Sequence, residues 1–432
     1  MRGTLRIAFI LFVSLGAAGA AVAAPHSDVS DSFAITNVRV FDGEDVIPGA
    51  TVVVRNGRIR AVGPDAVVPH GLPVIDGTGR TLLPGMIDSH AHARSRQELE
   101  RAIQFGVTTE MDMWTLPEFA RSMRREQDRT GAPYRADFFS AINPATLPEG
   151  YPYNFTPDVT ERPTLTGPEE ADRFVRRLLN DGADYMKIMI EDGSLVFLDL
   201  PVLSRETVRA LTRGMHRRGK LAVAHVIEMD RAFDLLHDGI DGLVHMPVDE
   251  VAPPNFIRLA VMKGIFVAPT LAVEESFVTT EGGAEILADP DLAPYLTEDE
   301  KAWLLAPPPP SLITIENLEF ARESVRRLNA AGVPILAGTD MPTHGVSLHR
   351  DLELMVRAGL PPVDALAAAT SNPAAAWGFT DRGRIAPGLR ADLLLVDGDP
   401  TVDIKATRRI ERIWKAGVEV DRPLPPAHRH TH

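Results

Sequence analysis

The middle of the chain alternates short apolar runs with segments in which apolar residues recur every three or four positions. The runs are typical of buried strands, and the segments are typical of amphipathic helices. The predicted strands are residues 82–90, 106–113, 134–141, 185–190, 221–226, 242–246, 266–271 and 335–341. The predicted helices are residues 98–105, 169–181, 205–219, 230–239 and 316–332. This alternation predicts an α/β fold of the (β/α)8 TIM-barrel class. An open doubly wound sheet is the alternative, but the first strand lacks the Gly-rich phosphate turn usual in that fold.

The two ends of the central region have a different pattern. Residues 33–62 contain short β-rich runs separated by turns, and Asn56-Gly57 between apolar alternations predicts a tight hairpin. Similar runs return between residues 383 and 420. Neither segment is large enough for a core of its own, so we predict that they combine. The predicted division is a β-sandwich of residues 33–83 plus 383–420, a barrel of residues 84–382, and a flexible tail of residues 421–432.

The N-terminus has the pattern of a secretory signal peptide over residues 1–23. Arg2 and Arg6 precede an apolar run, and Ala21-Val22-Ala23 forms a small-residue cleavage site. A membrane anchor is the alternative, but the apolar run is short and rich in Ala and Gly. Cleavage before Ala24 predicts an exported protein, periplasmic or secreted. No other stretch is long and apolar enough for a membrane span.

Composition narrows the chemistry. Removal of two arginines takes the formal charge from −14 to −16, and no basic patch stands out, so we expect neither a nucleic-acid nor a membrane partner. The chain has no cysteine, which excludes disulfides and thiolate ligands. Any metal must be held mainly by histidines and carboxylates.

His90 and His92 raise the question of a metal site. They end an apolar strand, and alternate residues of a strand point to the same face. Two imidazoles on one face can bind one metal ion, although paired structural histidines at a strand end are the common alternative.

Further ionisable residues lie at the ends of other predicted strands. Lys187 lies in the fourth strand, His225 in the fifth, His245 in the sixth and Asp340 at the end of the eighth. Each alone has a structural explanation, such as a cap made by Asp340. A buried lysine is harder to dismiss, because an unpaired ammonium is costly in a low-dielectric site. Since the carboxyl ends of barrel strands meet at the face that carries the chemistry, the set as a whole predicts an active site.

These residues give the chain its resemblance to the amidohydrolase superfamily over about residues 33–420. The resemblance extends to residues 348–360, 365–379 and 381–400. It implies a divalent metal centre, most often zinc, and hydrolysis of an amide, a cyclic amide or a related bond. Lysine in the fourth strand is similar to the subtypes with a carbamylated lysine, of dipeptidase, prolidase or imidazolonepropionase kind. The residues after Lys187 lack the Gly-Gly-rich turn common in the prolidase-like subtypes.

The resemblance also implies residue roles. One zinc ion would take His90, His92 and Asp340, and the other would take His225 and His245. Lys187, carboxylated on its terminal nitrogen, would bridge the two metals. An attacking hydroxide would lie between them, and Asp340 would be the catalytic proton shuttle. An unmodified lysine would instead pair with a carboxylate, for which Glu191 and Asp192 are the candidates.

The substrate is the least determined part. We expect a small molecule with a scissile C–N bond: an N-acyl amino acid, a dipeptide or a cyclic amide. Tyr151, Tyr153 and His344 are the candidate substrate contacts, and the long predicted loops 142–168 and 272–311 are candidate lids. Hydrolysis of an ester, lactone or organophosphate, or a non-catalytic binding protein on a barrel scaffold, are the alternatives. The sequence leaves open whether the protein forms a homo-oligomer.

Overall fold

The computed structural model describes residues 31–153 and 162–424. The predicted signal peptide and residues 425–432 of the predicted tail lie outside these ranges. The strands are β1 Phe33–Phe41, β2 Val46–Arg55, β3 Arg58–Gly63, β4 Val74–Asp76, β5 Arg80–Pro84, β6 Met86–Ala91, β7 Val107–Asp112, β8 Asp137–Ser140, β9 Met186–Met189, β10 Ala222–His225, β11 Gly242–Leu243, β12 Phe266–Val267, β13 Leu393–Asp397, β14 Ile410–Lys415 and β15 Val418–Val420.

The helices lie mainly between the strands of the central region. They are α1 Arg96–Gln104, α2 Pro117–Thr130, α3 Ala171–Asp181, α4 Arg205–His216, α5 Met229–Asp238, α6 Pro254–Lys263, α7 Leu271–Ser276, α8 Glu281–Ala288, α9 Glu298–Leu304, α10 Ile315–Ala330, α11 Val346–Arg357, α12 Pro362–Ala368 and α13 Ser371–Ala376. Short 3₁₀ helices cover Pro168–Glu170, Ser194–Val196, Ala293–Tyr295 and Ile404–Arg408. Among the described residues, no helix is both long and apolar enough to cross a membrane.

Strands from the two ends of the chain form one mixed sheet. Its order is β15-β14-β13-β5-β1-β2-β3, and β4 pairs with β1. The predicted hairpin is confirmed, because Arg55 pairs with Arg58 across the loop Asn56-Gly57. Both loop residues have positive φ, 50° and 67°, as a two-residue hairpin turn of this kind requires. The buried faces of these strands share a hydrophobic cluster that includes Trp414.

The prediction of one barrel strand over residues 82–90 is wrong. Residues 82–90 are divided at Gly85, where β5 ends and β6 begins. β5 pairs antiparallel with β13 in the terminal sheet, whereas β6 pairs in parallel with β7. A Cβ atom on Gly85 would lie 2.5 Å from the Thr108 side chain, so glycine permits the close approach at this junction.

The central strands form two parallel arcs, β6-β7-β8 and β9-β10-β11-β12. Hydrogen bonds connect the arcs at both ends. Ala145, in the segment after β8, forms a parallel bridge with Ile188 of β9. At the other end Ile335 bridges to Val267 of β12, and Ser89 of β6 donates its N–H to the Ala337 carbonyl. The eighth predicted strand, 335–341, therefore makes these backbone contacts without being a regular strand.

The predicted loop 272–311 is wrong as a loop, because it contains most of α7 and all of α8 and α9. Thr297 and Glu300 form a capping box at the start of α9, a local signal that favours a helix. A local cap also begins α4, since the Ser204 side chain accepts from the Thr207 N–H.

A buried ion cluster joins the terminal sheet to the start of β8. The Asp137 carboxylate accepts from Lys415, Arg382 and Arg390 at 2.5–2.7 Å. Burial would raise the pKa of Asp137, but the three cations hold it below its ordinary value. Because every charge in the cluster has a partner, removal of one member leaves the others buried and uncompensated.

Candidate metal centre

Three of the predicted ligands meet at one point. His90 and His92 lie at the end of β6, and Asp340 follows the segment that bridges to β12. The Asp340 Oδ1 atom lies 2.9 Å from His92 Nε2 and 3.5 Å from His90 Nε2. The candidate ligand atoms of these three side chains all lie within 4.8 Å of one another. Two imidazoles and a carboxylate at this spacing form a donor set suited to zinc.

The backbone around Asp340 aims its side chain at the histidines. Asp340 adopts positive φ, 52°, and its N–H donates to the His90 carbonyl at 2.8 Å. The preceding Thr339 donates its hydroxyl to Asp88 at 2.8 Å, and Asp88 also accepts from the His90 N–H at 3.0 Å. A strained conformation of this kind persists only where surrounding contacts hold it.

Hydrogen bonds also define which nitrogen of His90 faces the centre. Its Nδ1 lies 2.7 Å from the Val244 carbonyl, which can only accept, so Nδ1 carries the proton. Nε2 then keeps its lone pair, directed at Asp340 and Lys187. Burial and the Lys187 charge lower the pKa of His90 well below its ordinary value, which keeps the ring neutral and able to bind a metal.

The other two predicted histidines adjoin this group. The ring centroid of His245 lies 4.7 Å from that of His90 and 4.3 Å from that of His225. His245 Nδ1 lies 2.8 Å from the Thr270 hydroxyl, and its Nε2 lies 3.7 Å from Asp340 Oδ2. Buried His245 Nε2 has no hydrogen-bond partner among the described residues. An orphaned nitrogen beside a carboxylate is what a missing cation would explain, so the residues present fit a divalent metal.

Lys187 points into the same group. Its Nζ lies 3.1 Å from His90 Nε2, and its side chain is buried. Burial lowers the pKa of Lys187 to about 8, against the opposing charges of Asp340 and Asp112. The alternative pairing with Glu191 or Asp192 is wrong. Glu191 contacts His225 at 3.4 Å, and Asp192 pairs with Arg231.

The Asp340 carboxylate remains ionised in this setting. Burial would raise the pKa of Asp340, but the adjacent rings of His90 and His92, and the hydrogen bond from His92, hold it well below its ordinary value. The centre therefore combines a stable anion with four imidazoles and a lysine, and the pKa of each of these five groups is lowered.

Of the predicted substrate contacts, Tyr151 lies beside the centre, and Tyr153 follows it two residues later. The Tyr151 ring stacks on His225 with centroids 5.2 Å apart. Tyr153 is buried, and its hydroxyl has no hydrogen-bond partner among the described residues. Arg162 lies over the rings of both Tyr153 and Trp114, at 4.7 and 4.9 Å. Arg94, two residues after His92, lies over Trp114 at 5.7 Å. Tyr151 contacts His225, and the charge of Arg94 acts on His92. Trp114, Tyr153 and Arg162 form a group that Arg94 joins through the Trp114 ring.

The third predicted contact, His344, forms an ion pair within the protein. Its side chain is buried, and its Nδ1 lies 2.9 Å from Glu110. Burial would lower the pKa of His344, but the Glu110 carboxylate raises it to about 9, so the ring is a buried cation. This ion pair accounts for His344 without a ligand.

Sequence reasoning did not assign roles to the groups that support the histidines. Glu191 contacts His225, Thr270 bonds His245, and Glu274 lies 3.8 Å from His245 Nδ1. Glu191 carried a usable signal, since it follows the apolar strand that contains Lys187. Thr270 lies near the end of the predicted strand 266–271, and Glu274 lies in the predicted loop 272–311, where polar residues are ordinary.

Comparison with known proteins identifies the class. The description "Amidohydrolase family" matches residues 81–420, and "NagA composite domain" matches residues 32–82. The first match covers most of the chain, so the protein belongs to the amidohydrolase family. This confirms the predicted superfamily.

Individual relatives are distant. Ochratoxinase of Aspergillus niger is 25% identical over 259 residues, which are 58% of this chain and 49% of that enzyme. The chain thus matches about half the length of this relative. Imidazolonepropionase of Cereibacter sphaeroides is 25% identical over 392 residues, which cover 84% of this chain and 92% of that enzyme.

Among solved structures, a putative prolidase from Bifidobacterium longum superposes with a TM-score of 0.73 at 24% identity. The superposition covers 92% of this chain and 97% of the other. This likeness shows the fold, which is of the TIM-barrel type.

Proposed function

We propose that the protein is a metal-dependent amidohydrolase that cleaves a C–N bond in a small molecule bearing a carboxylate. The observation that carries the proposal is the convergence of His90, His92 and Asp340 with an orphaned nitrogen of His245 beside them. The similar enzymes named above support hydrolysis as the reaction. A non-catalytic binding protein would not need a strained, ionised aspartate held against two histidines.

The residues would share the metal sites as the resemblance implies. His90, His92 and Asp340 would hold one zinc ion, His225 and His245 would hold a second, and carboxylated Lys187 would contribute an anion to both. When bound, such ions polarise the carbonyl under attack and lower the pKa of a bound water molecule. The lowered pKa of Lys187 supports the modification, because only the neutral amine reacts with CO₂.

Asp340 would move the proton. Its carboxylate accepts a proton as the water oxygen forms a bond to the carbonyl carbon, and it donates that proton to the nitrogen as the C–N bond breaks. Its low pKa makes it an anion in the resting protein, and its contact with His92 holds the carboxylate in place. Glu191 and Thr270 would orient His225 and His245.

The substrate class follows from the groups beside the histidines. Arg94 acts on His92, and Arg162 lies over the same Trp114 ring as Arg94. These guanidinium groups would offer positive charge, to which a carboxylate binds with two hydrogen bonds. Trp114 and Tyr153 offer apolar surface next to them. These groups favour an N-acyl amino acid or a dipeptide over an uncharged cyclic amide.

We propose three further points about architecture and processing. The parallel strands would form a closed eight-stranded barrel, which the Leu336-to-Val267 and Ser89-to-Ala337 hydrogen bonds support. The chain would be exported after cleavage before Ala24, as the N-terminal sequence predicts, and the terminal strands would form a separate small domain.

A hydrolysis screen tests the function. Zinc-reconstituted protein starting at Ala24 is assayed with N-acyl amino acids, dipeptides, their carboxamides, cyclic amides and simple esters. We expect turnover of the substrates with a free carboxylate, loss of turnover on chelation, and recovery with zinc. Turnover of esters alone, or equal turnover without metal, would refute the proposal.

Arginine variants test the substrate class separately. Arg162→Gln and Arg94→Gln should raise KM for an N-acyl amino acid about tenfold or more, the scale of one lost charged hydrogen bond. KM for the matching carboxamide should change little. An equal rise in KM for both substrates would show that the arginines support the fold and do not recognise the carboxylate.

A further inference from the structure

We infer that Asp351 of α11 is a positioning residue that sets the geometry between Asp340 and His245. The inference rests on the proposed metal site and adds a residue that does not touch it. Asp351 lies within the segment 348–360, which the resemblance singles out but for which the proposed chemistry has no use.

Asp351 connects two pieces of backbone with its two carboxylate oxygens. Oδ2 accepts from the N–H of Gly338 at 3.2 Å, and Oδ1 accepts from the N–H of Ala272 at 3.2 Å. The Leu271 N–H also bonds to this carboxylate. The side chain is fully buried. A buried carboxylate that receives three backbone donors holds them in one arrangement, because each donor would otherwise be unsatisfied.

The first piece of backbone carries Asp340. Gly338 precedes Thr339 and Asp340 and packs directly on β6. A Cβ atom at Gly338 would lie 2.9 Å from the His90 nitrogen, so the two backbones are in close contact. A shift of Gly338 would therefore move Asp340 relative to the histidines of β6.

The second piece carries the support of His245. Leu271 and Ala272 begin α7, whose preceding residue, Thr270, lies 2.8 Å from His245 Nδ1. Thr270 adopts positive φ, 52°, a conformation that needs neighbouring contacts to persist. Asp351 supplies such contacts at the next two residues along the chain.

The contacts form a closed ring. Asp340 lies two residues after Gly338, which Asp351 binds. Asp351 also binds the start of α7, and Thr270, just before α7, contacts His245. His245 Nε2 lies 3.7 Å from Asp340 Oδ2 and closes the ring. The distance between these two proposed ligands is thereby fixed by a residue outside the centre.

A second contact fixes the far end of α7. Arg350, next to Asp351, forms two hydrogen bonds of 2.8 Å with Glu275, and both side chains are buried. Helix α11 therefore holds α7 at its start and near its end. This leaves α7 little freedom to rotate away from His245.

The test compares Asp351→Asn with Asp392→Asn. The amide keeps the shape but places N–H groups against backbone donors. Asp392 is the control, because it is buried next to β13 of the terminal sheet and accepts from the Ala416 N–H at 2.7 Å and from Arg390 Nε at 2.9 Å. For each variant we measure the melting temperature, zinc affinity by competition with a chromogenic chelator, and kcat and KM.

We expect both variants to be less stable than the wild type. Asp351→Asn alone should bind zinc about 10- to 100-fold more weakly, as lost support of a ligand does. Its kcat should fall by a similar factor while KM changes little. If Asp351→Asn loses stability but keeps the zinc affinity and kcat of Asp392→Asn, the inference is wrong.

A second pair of variants covers the case in which Asp351→Asn does not fold. Thr270→Val breaks the same ring at the His245 contact, and Thr270→Ser keeps the hydroxyl. Weak zinc binding in the valine variant, restored in the serine variant, supports the ring; equal binding in both overturns it. Wild-type protein that binds no zinc would instead refute the proposed function.

Discussion

Lys187 should become carboxylated in a pH-dependent way. Its pKa is lowered to about 8 by burial. At about pH 7 roughly one such amine in ten is neutral, against roughly one in three thousand for an ordinary lysine. Raising the pH from about 7 to about 9 makes most of the Lys187 amines neutral, a gain of roughly tenfold. Because only the neutral amine forms a C–N bond with CO₂, the rate of modification should rise by a similar factor.

The assay starts from protein stripped of metal and CO₂ in mild acid. At each pH the bicarbonate is adjusted so that dissolved CO₂ has the same concentration, zinc is returned, and intact mass and bound zinc are followed with time. The modified protein should gain about 44 Da at Lys187, and zinc uptake should follow the mass gain. Lys187→Ala should show neither change.

Lys415 is a control within the same chain. Burial lowers its pKa to about 8 as well, but its Nζ donates to the Ala132 and Arg135 carbonyls and to Asp137. Carboxylation there would break all three hydrogen bonds, whereas Lys187 faces a histidine. A mass gain at Lys415, or zinc uptake at a rate independent of pH, would refute the reasoning.

Three further predictions concern catalysis, stability and export. Asp340→Asn should keep the fold and lower kcat about 100-fold or more in the hydrolysis assay; near-normal turnover with a lower melting temperature would leave Asp340 only a structural role. Asp137→Asn should cost about 3–5 kcal/mol in urea unfolding, because Lys415 and its neighbours stay buried without their anion. The pKa of Asp137 is lowered in the folded state, so the difference in unfolding free energy between the two proteins should persist at neutral pH. It should be lost only in strong acid, where the wild-type carboxylate becomes protonated. Loss of the difference at mildly acidic pH would contradict this. Mass spectrometry of exported protein should find Ala24 at the N-terminus, and an intact Met1 in the membrane fraction would exclude cleavage.

The candidate site could be predicted because its signal is local. His90, His225 and His245 each interrupt or end an apolar strand. A single histidine there has a structural explanation, but three in different strands of one barrel favour a shared site. The register of a parallel barrel then brings the strand ends together without further information. In the structure His90 Nε2 lies 3.1 Å from Lys187 Nζ and 3.5 Å from Asp340 Oδ1, so residues from three different predicted strands meet at one atom.

The parts that could not be predicted depend on contacts between distant segments. The eighth strand fails as a regular strand because residues 337–340 turn toward β6, where the His90 carbonyl takes the N–H groups of Thr339 and Asp340. The helices between residues 272 and 304 were missed because their proline, glycine and acidic residues suggest a loop. The junction at Gly85 was missed because a single apolar run feeds two different sheets.

Helix α11 shows why a polar pattern alone misjudges such a segment. Its charged residues Arg350, Asp351 and Glu353 would ordinarily mark a solvent-exposed face, yet all three are buried. Arg350 and Glu353 pair with each other within the helix. Each of the three also has a partner outside it: Glu275 of α7 for Arg350, backbone N–H groups for Asp351, and Arg408 for Glu353. Hydrogen bonds have preferred directions, whereas apolar packing does not. The contacts of these buried charges outside the helix therefore restrict the orientation of α11 more than apolar packing would. On this argument the similarity of residues 348–360 to other amidohydrolases reflects the orientation of α7, on which the position of His245 depends.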